Sequence, residues 1–276
     1  MTLQPFVHAI VETGVILLVA TGFQCVFRVG KFFHFAHGAL FAAAPYLMFL
    51  GITSFQFPRL LSGLVAIAAT VLMGLLIEFF LYRPIRRVGN SANVLLLCSL
   101  GIFVALESSI ALFFGSAPKT LRSVPVIEGV NLLGARVTIS QIAIVFSAVM
   151  IVLGMWTFSR VTSIGTKMEA VADDCNLANI IGISVERVYL VSIALASAIA
   201  AIGGIVVSFD VDMTPLMGLR PLMLGVVAVL VGGNSLFGTL WGASIIGATQ
   251  HIGTIWVSSK WQDAIVFGTL LFALVF

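Results

Sequence analysis

Charged residues fall along this chain in a few tight groups, and long apolar stretches separate them. Leu60 to Ile77, Val88 to Leu106, Val137 to Ser159, Val188 to Phe209 and Pro221 to Ser259 carry no charge at all. About 20 apolar helical residues cross the hydrocarbon core, so each run is long enough for one span and the last for two. The runs are continuously apolar and do not alternate over segments of about 10 residues, which reads as helices and not barrel strands. The pattern predicts an all-α, polytopic integral membrane protein with about 8 to 9 transmembrane helices. It forms a single transmembrane domain over 1–276, with spans at about 10–29, 36–55, 60–81, 93–114, 138–159, 187–208, 217–232, 238–257 and 262–276.

Composition agrees with the pattern. Of 276 residues, 60% are hydrophobic and only 9% charged, against about 25% in a soluble domain. The 26 glycines sit largely inside the apolar runs, where glycine marks close helix contact or interrupted helices. Tight packing alone accounts for most of them. Cys25, Cys98 and Cys175 lie far apart and form neither a disulfide framework nor a metal site. The first span is preceded by Gln4, His8 and Glu12, so no cleavable signal peptide is expected. A net charge of +3 is no argument for nucleic acid on a largely buried chain.

Basic residues set the expected orientation. The cluster "YRPIRR" places Arg83, Arg86 and Arg87 in one short loop, which the positive-inside rule assigns to the cytoplasm. Alternation then puts Arg28, Lys31, Arg160, Lys167 and Arg187 inside. Arg59, Lys119, Arg122, Arg136, Arg220 and Lys260 fall outside. The N-terminus is expected outside and the C-terminus in the cytoplasm.

One inside segment, at about 160–187, carries helix signals of its own. Thr166 and Glu169 have the T-x-x-E spacing of a capping box, so a helix is expected from about Lys167 to a stop at Gly182. Ser184 and Glu186 suit the cap and first turn of the next span. Met168, Val171, Ala172, Cys175 and Ala178 recur at helical spacing, with Glu169, Asp173 and Asn176 on the other side and Asp174 flanking them. This is either a docking element or a solvated helix that returns the chain.

At these residues a resemblance emerges. "EAVADDCNLANIIGIS" resembles the cytoplasmic coupling segment of ABC importer permeases, in particular the branched-chain amino acid permease family. "FHFAHGAL" is similar to that family's asparagine-phenylalanine-alanine-histidine-glycine motif, "LLLCSLGIFVALESSIALFFG" to its fourth-span pattern, and "AVLVGGNSLFGTLWGASIIG" to its late glycine-rich segment. The resemblance covers about Val11 to Phe272. His34 stands where the family usually has asparagine and Pro45 where it often has glycine. The chain stops at Phe276 without the usual arginine-proline-glycine tail, which marks a trimmed or a short C-terminus.

The resemblance implies a multi-pass permease of the bacterial cytoplasmic (inner) membrane with no enzymatic chemistry and no cofactor of its own. Its implied partners are a second homologous permease, two cytoplasmic ATPase subunits that bind ATP-Mg, and a periplasmic substrate-binding protein. The chain holds no G-x-x-x-x-G-K-[ST] phosphate loop, so ATP hydrolysis belongs to a partner. Coupling to the ATPases is expected of Glu169, Ala170, Asp173, Asp174, Ala178 and Gly182. Two glycine-interrupted apolar segments in separate halves point to a translocation site, which makes His37, Gly38, Gly232, Gly233, Asn234 and Ser235 candidate pathway residues. His34 and His37 are also readable as interfacial histidines bonded to a neighbouring carbonyl, and the motif match favours His37 over His34 as a pathway residue. Glu107, inside a span, is costly to bury and marks a functional or assembly position. Asp210, Asp212 and Arg220 read as outer-loop charges, open to solvent or to a binding protein.

Branched-chain amino acids are the expected solute. Urea, short amides, other amino acids and aromatic carboxylates are carried within the same family. An ion-driven secondary transporter is the competing class, but it needs buried carboxylates along the pathway, and only Glu107 qualifies. A purely structural membrane subunit would not need two glycine-broken segments.

Overall fold

The architecture comes from a computed structural model that describes residues 3–89, 91–122, 129–132, 135–233, 235–252 and 261–275. The helices, in chain order, are α1 (Gln4–Gly30), α2 (Ala36–Thr53), α3 (Arg59–Ile77), α4 (Arg83–Val88), α5 (Ala92–Phe114), α6 (Ile139–Val161), α7 (Ser163–Asp173), α8 (Cys175–Ile180), α9 (Val185–Ser208), α10 (Leu219–Gly232), α11 (Leu236–Ile252) and α12 (Gln262–Val275). A π-helical turn, Glu78–Tyr82, joins α3 to α4. A small antiparallel hairpin, β1 (Gly129–Leu132) with β2 (Ala135–Thr138), pairs Gly129 with Thr138 and Leu132 with Ala135. The apolar periodicity carries no signal for that hairpin, which lies in a polar connection.

Six helices among the described residues are long and apolar enough to cross a membrane: α1, α2, the α3–α4 rod, α5, α6 and α9. Expectation and structure part company late in the chain. There α10 and α11 are bent by 120° against each other and make at most one further span between them, where the hydropathy suggested two. Hydropathy counts apolar residues, and a sharp hairpin at Gly233 leaves that count unchanged.

Two shells organise the bundle. α1, α2 and α9 are the inner helices. α1 packs against α6, α9, α10 and α11, and α2 against α3, α5 and α9. α3, α5 and α6 form an outer shell whose apolar faces are largely uncovered, for example at Leu64, Leu97, Phe113 and Phe146. Such faces suit lipid or a membrane partner.

Local chemistry sets the ends of the elements. α1 stops where Lys31 turns left-handed at φ 53° and donates its N–H to the Phe27 carbonyl at 2.9 Å. The chain then folds back, and Ser99 of α5 pins the connection by donating to the Phe33 carbonyl at 2.9 Å and accepting from the Phe35 N–H at 3.1 Å. α6 opens on a true capping box: Thr138 Oγ1 accepts from the Gln141 N–H and Gln141 Oε1 accepts from the Thr138 N–H, both at 3.2 Å.

The charges sort to two ends. Arg83 and Arg87 both pair with Glu186, the latter at 2.9 Å, so the "YRPIRR" loop and the 160–187 segment share one end. Gln4 exchanges hydrogen bonds with the Arg136 backbone at 3.0 and 3.1 Å, and Arg122 pairs with Asp212 at 2.6 Å, at the other end.

Candidate functional site

The 160–187 segment folds as two short helices, not one. Thr162 caps the first, its Oγ1 accepting the Gly165 N–H at 3.0 Å. Asp174 caps the second, its Oδ1 accepting from the Asn176 and Leu177 N–H groups at 2.8 and 3.0 Å. The capping box expected at Thr166 and Glu169 is therefore absent, because helix already exists one turn earlier and the Thr166 N–H bonds the Thr162 carbonyl. Asp is among the strongest N-cap residues, and Asp174 opens a new helix where a continuous one was expected. Gly182 does end the element, at φ +89°, a left-handed conformation that costs a side chain of normal handedness about 1 kcal/mol.

The inner face of this segment is seated on the spans. Met168, Val171 and Ala178 cluster with Val29 of α1 and Val188 of α9. Ala178 thus packs against the spans, and Ala172 is buried beside it in α7. The outward face carries Lys167, Asp173, Asn176 and three uncovered apolar residues, Leu177, Ile180 and Ile181. Those three escaped the sequence reading because six residues are too few for an apolar stripe to stand out. Ala170 and Glu169 are half-buried at the flank.

The glycine-rich candidates converge on helix contacts. His37 is fully buried, and its Nε2 donates to the Val19 carbonyl at 3.2 Å, which places the proton on Nε2. A Cβ on Gly22 would overlap the His37 ring, and one on Gly218 would overlap the Gly38 carbonyl. His37 and Gly38 thereby wedge α2 between α1 and α10. His34 bonds Tyr82 through Nδ1 at 2.9 Å. Gly232 and Gly238 bring α10 and α11 into backbone contact, Gly233 turns the hairpin at φ +77°, and Ser235 Oγ caps α11 by accepting the Gly238 N–H at 3.0 Å. Asn234 lies outside the described residues.

The charges expected outside are engaged internally. Asp210 accepts from Ser140 and Thr138 at 2.7 and 3.2 Å, and Arg220 lies 3.5 Å from Glu12. Glu107 is partly exposed on α5 and forms no ion pair among the described residues.

A cavity of about 50 Å³ lies between α1, α6 and α7. Thr21, Gln24 and Arg28 of α1 line one side, Met155 and Phe158 of α6 another, and Glu169 of α7 closes it beside Leu236, the first residue of α11. Thr21 and Gln24 are 1% and 2% exposed, yet Thr21 Oγ1, Gln24 Nε2 and Arg28 Nε have no hydrogen-bond partner among the described residues. This polar stripe was missed in the sequence, although its i, i+3, i+7 spacing on one helical face was available as a signal. No group of His, Cys, Asp or Glu among the described residues is arranged to hold a metal ion.

Comparison with known proteins gives a consistent picture. The family model described as "Branched-chain amino acid transport system / permease component" matches residues 6–274. The high-affinity branched-chain amino acid transport system permease protein LivH of Escherichia coli K12 is 25% identical, over 99% of this chain and 92% of that protein. The corresponding protein BraD of Pseudomonas aeruginosa is 24% identical, over 99% and 93%. Among solved structures, PsaBC from Streptococcus pneumoniae in complex with Fab superposes with a TM-score of 0.52 at 13% identity, over 96% of this chain and 89% of that one. This last likeness speaks to the fold alone.

Proposed function

The chain belongs to the branched-chain amino acid transport system permease family, and from that premise we propose that it is the transmembrane permease subunit of an ABC importer for branched-chain amino acids. A second, homologous permease completes the pathway, two cytoplasmic ATPases drive it, and a binding protein delivers solute from outside. The 160–187 end faces the cytoplasm, in keeping with Arg83, Arg86 and Arg87 beside it.

The observation that carries this reading is the two-faced coupling segment. Its inner face packs on α1 and α9, so a push on α7 and α8 reaches the spans with no intervening element. Its outer face holds Leu177, Ile180 and Ile181 in the open, an apolar patch suited to a groove on an ATPase. Rocking then follows if the closed ATPase pair makes contacts with this patch that the open pair does not.

The test is purification of the whole complex from its native membrane and reconstitution into liposomes. Leucine and valine uptake should require ATP and should vanish when the Walker lysine of the co-purified ATPases is replaced. The double variant Leu177→Asp with Ile180→Asp should insert normally and lower uptake by about tenfold or more, since hot-spot anchors each contribute about 2 kcal/mol or more. Asp173→Lys should act in the same direction. Gly182→Pro should uncouple too, because proline cannot take φ +89°. Uptake that follows an ion gradient, or that survives these changes intact, would overturn the proposal.

A further inference from the structure

We propose that the cavity between α1, α6 and α7 is where the permease holds its solute on the cytoplasmic half of the pathway, and that it takes a small zwitterion with an aliphatic side chain. The proposal rests on the import function above and adds the residues that touch the solute.

Polar groups inside a membrane bundle are expensive and mark pathways by default. Thr21, Gln24 and Arg28 form such a stripe on α1, and each leaves a polar atom at the cavity wall without a partner among the described residues. A structural polar network would be satisfied from within the protein. A solute carboxylate and ammonium can satisfy these atoms instead.

The charges at the cavity have the matching signs. Arg28 and Glu169 both line it, and neither belongs to an ion pair among the described residues. Arg28, with Gln24 Nε2 one turn away, offers donors to a carboxylate. Glu169 offers an acceptor to an ammonium. Met155, Phe158 and Leu236 supply apolar surface for an aliphatic side chain.

Size says that the cavity is closed in this conformation. At about 50 Å³ it has room for a few water molecules, far less than an amino acid needs. Opening requires α7 to move away from α1, and α7 is the helix that carries Glu169. The turn between α6 and α7 is tight: a Cβ on Gly165 would lie 2.6 Å from the Ser159 Cα. Movement of the coupling segment therefore changes the cavity directly, with no intervening element.

The experiment is radiolabelled leucine uptake by the reconstituted complex carrying Thr21→Val, Thr21→Ser or Gln24→Leu. Thr21→Val keeps shape and loses the hydroxyl. If these atoms were merely structural, their removal would relieve an unsatisfied group, leaving melting temperature and uptake unchanged or higher. Solute contact predicts an unchanged or raised melting temperature with uptake lowered by about tenfold for Gln24→Leu and by a smaller factor for Thr21→Val, and retained in Thr21→Ser. Uptake within about twofold of wild type in both Thr21→Val and Gln24→Leu overturns the site while leaving the import reading intact. Should Gln24→Leu fail to assemble, Thr21→Val against Thr21→Ser decides alone. Wild-type liposomes that take up no amino acid overturn the import reading, and this proposal with it.

Discussion

Gly204→Val is expected to abolish accumulation of folded protein in the membrane, while Gly101→Val leaves it at the wild-type level. Pro45 has no N–H, so the Phe41 carbonyl one turn earlier in α2 loses its helical donor. Gly204 of α9 packs directly against that carbonyl, with Pro45 beside it, and a Cβ at 204 would overlap the oxygen. The obstruction is backbone, which cannot rotate aside as a side chain does. Overpacking of this kind costs about 3 kcal/mol or more, a large share of a domain's total stability. Gly101 has no neighbour among the described residues within 4 Å of its Cβ direction, so valine there meets open surface. Size-exclusion profiles of the solubilised variants provide the check, and a monodisperse Gly204→Val peak at wild-type height would show that α2 and α9 do not meet at this point.

Arg86→Met should destabilise the protein nearly as severely, and Glu78→Leu added to it should recover most of the loss. Glu78 ends α3 in the π-helical turn with its side chain 2% exposed, and Arg86, 10% exposed, pairs with it from α4. Arg86 also lies over the Tyr189 ring, 4.0 Å from its centroid, which ties α4 to α9 beside the 160–187 segment. Removing one member of a buried pair strands the other charge, at about 3–5 kcal/mol, whereas replacing both with apolar residues is often neutral. The cycle is read from melting temperatures of wild type, both single variants and the double. Equal melting temperatures for wild type and Arg86→Met would mean that the pair is solvated and contributes nothing.

These two predictions bear on how much the chain reveals before it folds. The glycines show the limit well. Gly101, Gly154 and Gly204 all lie in apolar runs and look alike in sequence. Among the described residues only Gly204 of the three meets backbone, while the other two have nothing within 4 Å. A similar limit applies to the histidines: "FAHG" was legible as a motif, but not that His37 would sit against Gly22 with its Nε2 on the Val19 carbonyl. Asp173 and Asp174 are adjacent and alike, yet Asp174 caps α8 and Asp173 is left exposed.

Membrane insertion, helical class, the charge-rich ends and the family were all determined by sequence alone. Hydropathy summed over about 20 residues is a one-dimensional property that the bilayer reads directly, and motif order is likewise written along the chain. Tertiary structure decided the rest. Whether α10 and α11 cross the bilayer or bend at 120° depends on glycine contacts that neither segment reveals by itself. That Thr21, Gln24 and Arg28 share a cavity with Glu169 depends on how α7 docks under α1. A polar atom's partner is set by distance in space, and residues far apart in the chain carry no mark of meeting until packing brings them together.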